Sequence, residues 1–125
     1  MTRFLIDSDC AIYTLTGQFP SLAKRLSECE PEEVAISAIS FAELARGTLM
    51  GKPPPRDLLD AFVQAIPILS FDEAAAQAYA RMPFKRARFD RLLAAHALSI
   101  GATVITNNAA DFADVPDLNV ENWTL

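Results

Sequence analysis

The chain has 125 residues, 51% of them hydrophobic, and a net charge of −5. That much apolar material lets one globular domain bury a core without disulfide staples, and it excludes a disordered chain. No stretch approaches the ~18 apolar residues of a membrane helix, and an acidic surface repels phosphate, which argues against a general nucleic-acid binder.

In chain order, residues 4–6 (Phe4-Leu5-Ile6) read as a short buried strand ending at Asp7. Residues 11–28 read as helical, with a break at Gly17-Gln18-Phe19-Pro20. Residues 34–37 form a second strand, and a helix follows over 39–50. Gly51-Lys52-Pro53-Pro54-Pro55 breaks the chain before another helix over 56–65. Residues 66–70 predict a third strand, with Pro67 at its start or at a sheet edge. Asp72 caps a helix running to Arg81, Asp90 opens one reaching Ile100, and Gly101 stops it. Residues 103–106 predict a fourth strand and 118–120 a short fifth.

Short apolar strands alternating with helices imply an α/β fold, a central parallel sheet of four to five strands flanked by helices. No repeat, low-complexity tract or interior linker divides the chain, so residues 1–125 are read as a single domain. The opening seven residues are too short for a signal peptide, and a cytoplasmic protein is expected. Cys10 and Cys29 make no CxxC pair and no zinc spacing, so both are expected as reduced thiols.

In parallel sheets ligands bind beyond the carboxyl ends of the strands. Asp7 stands at such an end, where an acid has no routine structural task. Glu43 lies about a turn into the helix after strand two, Asp90 opens a helix, and Asn107, Asn108 and Asp111 follow strand four. These acids can converge at one edge from segments far apart in sequence. Crowded carboxylates raise one another's pKa unless a cation compensates, and hard oxygen ligands select Mg²⁺ or Mn²⁺ over zinc. A metal held by Asp7, Asp90 and Glu43, with Asp111 completing the cluster, can activate water toward a phosphodiester. Glu43 is the group best suited to orient or deprotonate that water.

Ser8 and Thr106 are candidate phosphate contacts. Arg81, Lys85, Arg86, Arg88 and Arg91 place five of the eleven basic side chains in one segment, where Lys85, Arg86 and Arg88 can hold an RNA backbone. His96 sits six residues past Asp90, too far round a helix for the same face, and is read as structural. Trp123 is read as a packing anchor.

Asp7-Ser8-Asp9 after a strand also fits a haloacid-dehalogenase-like phosphatase or a receiver module without nuclease activity. Both need a late lysine at a strand end, and Lys24, Lys52 and Lys85 are the only lysines.

At these residues the chain resembles the VapC family of PIN-domain toxins. Leu5-Ile6-Asp7-Ser8-Asp9 resembles the family's LLDTN, and residues 34–44 resemble VAISAIT-x-AEL, followed by Gly47. Phe71-Asp72 with Ala75, Ala76 and Tyr79 is similar to FDxxAAxxY, and residues 90–98 to DxLIAAHAL. Thr106-Asn107-Asn108 with Asp111-Phe112 resembles TNNxxDF, and the ending 115–123 resembles VPGLxVENW. The resemblance implies a PIN-like domain and a Mg²⁺- or Mn²⁺-dependent endoribonuclease. It further implies the toxin half of a type II toxin–antitoxin pair: commonly a homodimer, restrained by a cognate antitoxin, acting on tRNA or another structured RNA.

By position, Asp7, Glu43 and Asp90 match the family's acidic triad. Its fourth position falls on Asn108, with Asp111 three residues on as the nearby acid. Asp9 stands where the family has Asn, which adds charge at the site. Phe84-Lys85-Arg86-Ala87-Arg88-Phe89 replaces a longer glycine-bearing loop, which is expected to alter the mouth of the site.

Overall fold

The computed structural model describes residues 1–83 and 89–125. Its centre is a five-stranded, all-parallel sheet in the order β3-β2-β1-β4-β5. The strands are β1 (Phe4–Ile6), β2 (Val34–Ser37), β3 (Ile68–Leu69), β4 (Thr103–Ile105) and β5 (Val120–Glu121). The helices between them are α1 (Ser8–Leu15), α2 (Pro20–Ser27), α3 (Ala38–Leu49), α4 (Arg56–Ala65), α5 (Glu73–Arg81) and α6 (Phe89–Ile100). Two short 3-10 turns, Pro31–Glu33 and Ala109–Phe112, complete the chain.

The side-chain period of two sorts the strands onto two cores. Phe4, Ile6, Val34, Ile36 and Ile105 face α1 to α4, where they meet Cys10, Leu22, Leu44 and Phe62. Leu5, Ala35 and Val104 face the other way, onto Leu93, Ala94 and Ala97 of α6. The alanines of that second core let α6 lie close to the sheet. The chain steps outward from β1 through β2 to β3, then crosses back to place β4 on the other side of β1. The strand order reverses at β1, and the crevice beyond the carboxyl ends of β1 and β4 is the usual ligand position in such sheets.

Several element bounds differ from the sequence reading, for local reasons. The first helix starts at Ser8 rather than residue 11, because Asp7 caps it by accepting the Cys10 N–H at 2.8 Å. Its break comes where Gly17 (φ 74°) and Phe19 (φ 56°) adopt left-handed backbone. The third strand shrinks to Ile68–Leu69 at the sheet edge, with Pro67 contributing only its carbonyl, to the Ile36 N–H. Within the basic segment, Arg91 is buried and tied to Asp114 at 2.9 Å and to the Pro83 carbonyl at 3.3 Å, so it braces α6 rather than facing solvent. Trp123 is buried against Phe4, as a packing anchor should be.

One buried polar link joins the two helices that carry Glu43 and Asp90. Ser37 caps α3 by accepting the Ile39 N–H at 3.1 Å, and its hydroxyl lies 2.7 Å from Nδ1 of His96 on α6. Burial pushes His96 below its ordinary pKa, outweighing the upward pull of Asp72, so the folded ring stays neutral where an unfolded one charges. Ser37→Ala should destabilise the protein by about 1–3 kcal/mol, the range for a lost cap plus a stranded buried nitrogen. Because the unfolded imidazole takes up a proton near pH 6.5 and the folded one does not, His96 contributes stability that is lost as pH falls through that value. Urea melts at pH 7.5, 6.5 and 5.5 should therefore show a smaller acid-side loss for His96→Gln than for the parent chain.

Candidate active site

Asp7, the residue after β1 and the cap of α1, anchors the crevice. Its carboxylate caps α1 and also accepts a hydrogen bond from Thr106, the residue after β4. Burial nevertheless dominates and pushes the Asp7 carboxyl above its ordinary value, with the charge of Asp9 adding to the rise. Thr106 is fully buried; its hydroxyl accepts the Asn108 N–H at 3.0 Å and donates to Asp7. It therefore positions Asp7 and offers no surface to a phosphate.

Glu43 projects from α3 toward the same crevice. Ser8 donates a long 3.3 Å hydrogen bond to its carboxylate, which lowers its pKa. Partial loss of hydration raises it first, and the charges of Asp90, Asp9 and Asp7 then push it the same way, for a net upward shift. Four acids, from the end of β1 and from α1, α3 and α6, thus share one electrostatic neighbourhood. Asp90 lies within the first turn of α6, one residue past its start, rather than at the cap position. A carboxylate there is favoured by the helix dipole.

Asn108 and Asp111 form a unit of their own beyond β4, with the Asn108 amide donating to Asp111 at 2.6 Å. Both are exposed at that edge. Next to them, Asn107 donates to the Tyr13 hydroxyl at 3.2 Å and closes the turn against α1. Lys85, Arg86 and Arg88, read from sequence as RNA contacts, lie outside the described residues.

The donor set suits a hard divalent cation. The nearest sulfur, Cys10, is buried and its thiol is pushed far up, so it stays protonated, while His96 is committed to Ser37. Among the described residues no three His, Cys, Asp or Glu side chains stand close enough to form a ready-made cage. Mg²⁺ does not need one, since it keeps several waters and takes one or two carboxylates.

A cleft of about 390 Å³ is lined by Ser8, Asp9 and Glu43, by Arg46 on α3 and Lys52 beyond its end, and by Phe89 at the start of α6. The sequence reading did not single out Arg46 or Lys52, because cations so far apart in sequence make no visible run. Their signal was the helical spacing Glu43, Arg46, Gly47, Met50, which puts all four on one face of α3.

Residues 4–118 match the PIN domain family. The tRNA(fMet)-specific endonuclease VapC of Shigella flexneri is 30% identical over 99% of this chain and 100% of its own length. Ribonuclease VapC2 of Rickettsia felis is 27% identical over 96% and 97%. Among solved structures, VapBC2 from Rickettsia felis bound to a promoter DNA fragment superposes with a TM-score of 0.86 at 26% identity, covering 98% of this chain and 99% of that one. DNA-bound VapBC from Salmonella typhimurium gives 0.83 at 25%, with the same coverage. Neither the phosphatase nor the receiver reading finds support, and no lysine follows β4 or β5 to serve them. At this coverage the assignment is direct: the chain belongs to the PIN-domain family and, within it, to the VapC group.

Proposed function

We propose that this chain is the ribonuclease toxin of a VapBC-like toxin–antitoxin pair, hydrolysing RNA phosphodiester bonds with the help of Mg²⁺ or Mn²⁺. The observation that carries this reading is the upward pressure on Glu43, from burial first and then from Asp90, Asp9 and Asp7, acids drawn from two other helices and a strand end. Such crowding is unfavourable in an idle protein and is relieved by a bound cation. The VapC relatives, named as endonucleases and ribonucleases, supply the reaction, and the VapBC complexes among the structural neighbours supply the antitoxin partner. Among the described residues no helix is long and apolar enough to cross a membrane.

In this proposal Asp7 and Asp90 would hold the metal directly or through water, with Glu43 beside them. The bound cation would lower the pKa of a coordinated water and offset charge developing on the phosphate. Glu43 is well placed to orient the attacking water and take its proton, because its raised pKa brings it closer to the working pH. Ser8 holds Glu43 before RNA arrives. Thr106 and the Cys10 N–H fix the Asp7 carboxylate so that it need not reorganise on binding. Asn108 and Asp111 stand exposed at the edge where a phosphate would be met.

Purified protein should cut a structured RNA, with tRNA as the first choice, in Mn²⁺ and lose that activity in EDTA. Asp7→Asn keeps a good helix cap but removes the charge. Its activity should fall by more than the roughly 10–100-fold seen when a group that merely orients a ligand is lost. Cleavage by both proteins, or by neither, defeats the proposal.

The same acids make a second, activity-free prediction. A carboxyl whose folded pKa is raised lowers stability as pH rises through that value, since the unfolded chain gives up its proton more readily. At pH 7 without cation, Asp7→Asn and Glu43→Gln should therefore melt higher than the parent chain. Mn²⁺ should raise the parent's melting temperature and leave the Asp7→Asn variant nearly unmoved, as scanning calorimetry would show.

A further inference from the structure

The cleft beside the carboxylates changes character along its length. Its lining takes in Glu43 of the proposed reaction centre, with Asp9 beside it; one helical turn on is Arg46, and past the end of α3 is Lys52. Lys52 is folded back onto the helix by its own N–H, which donates to the Gly47 carbonyl at 2.8 Å. Among the described residues neither cation takes part in an ion pair, although acids outnumber bases 16 to 11 in the chain. Two large apolar side chains line the same cleft and remain in water, Met50 at 64% and Phe89 at 47% exposure. Gly47 also lines the cleft, and a Cβ built there would meet only the Lys52 Cβ, at 3.9 Å. The space over Gly47 is therefore open cleft and not packed protein.

We infer that this cleft seats the RNA nucleotide next to the scissile phosphate, with Arg46 and Lys52 on its phosphate and Phe89 and Met50 against its base. The inference rests on the ribonuclease reading above and assigns that site its substrate-holding half. Two unpaired cations beside an exposed aromatic ring are the pairing that single-stranded RNA uses, charge for the backbone and a flat apolar face for the base. A protein segment would also cover the apolar groups, but it would meet both cations only where its sequence places two acids, whereas RNA carries a phosphate at every nucleotide. RNA uses both features at once. The volume, about 390 Å³, lies in the range of small-ligand sites.

The test is fluorescence-anisotropy binding of a labelled RNA hairpin in Mg²⁺, in an Asp7→Asn background that blocks cleavage, beside cleavage kinetics in the otherwise unaltered chain. Arg46→Gln with Lys52→Gln should weaken binding by about tenfold or more and reduce the slope of log affinity against log salt by about 1.4, the value for two single-strand phosphate contacts. Phe89→Ala should cost about fivefold or more. Gly47→Leu should fold at least as stably as its parent, because leucine favours helix over glycine, yet bind RNA more weakly by filling the cleft. In the cleavage assay the loss should fall on KM. Lys24→Gln, on α2, is the charge control and should bind as the parent does.

Unchanged affinity in the double variant or in a stably folded Gly47→Leu overturns the inference and leaves the cleft to a protein segment. Binding without cleavage by the unaltered chain defeats the ribonuclease reading but not the cleft assignment. Cleavage with cleft variants that bind normally does the reverse, and no binding by the parent defeats both.

Discussion

Asp7 is asked to be buried and charged at once, and the neighbouring structure is arranged around that demand. Its carboxylate stands just past the central strand, caps α1 through the Cys10 N–H and takes a hydrogen bond from Thr106 after β4. These bonds hold one geometry but do not offset burial, so the carboxyl stays above its ordinary value. Two strands and a helix thus converge on a group that is uncomfortable when ionised. Residual discomfort of this kind is what a binding site for a cation requires, because a fully neutralised carboxylate would gain little from a metal.

The other acids reach Asp7 through separate devices. The α3 helix starts at a Ser37 cap that is pinned to His96, and α6 is pinned a second time by Arg91 to Asp114 and Pro83. The side chains that brace Glu43 and Asp90 are therefore buried in the protein, while the acids themselves look into the crevice. Rigid helices carrying rim carboxylates hold a site more firmly than loops would. The same helix α3 continues past Glu43 into Arg46 and Met50, so one element presents both the reactive acid and the wall of the adjoining cleft.

Much of this was legible in the sequence. Period-two apolar runs and helical spacing give the α/β class and the parallel sheet, and strand-end logic places Asp7 and the turn after β4 at the same sheet edge, where the structure has them. Asp7's structural task was not legible, because a cap is recognised only once the helix start is known, and that start moved from residue 11 to Ser8. Thr106 looked like a phosphate contact because a hydroxyl after a strand gives no sign of its depth; the structure buries it completely. Arg91 looked like part of a basic run, yet its partner Asp114 lies 23 residues away, beyond any local pattern. Tertiary pairing decided each of these, and local sequence carries no record of it.

The central claim is that burial, with the charge of neighbouring acids, raises the pKa of the Asp7 and Glu43 carboxyls and that a divalent cation relieves them. Carbon-detected NMR titration of the Asp7 and Glu43 side-chain carboxyls measures this directly, first without metal and then with Mg²⁺. The account predicts that both titrate above their ordinary values of 3.8 and 4.5 in the metal-free protein and shift downward when Mg²⁺ is added. Ordinary values that ignore Mg²⁺ would contradict it.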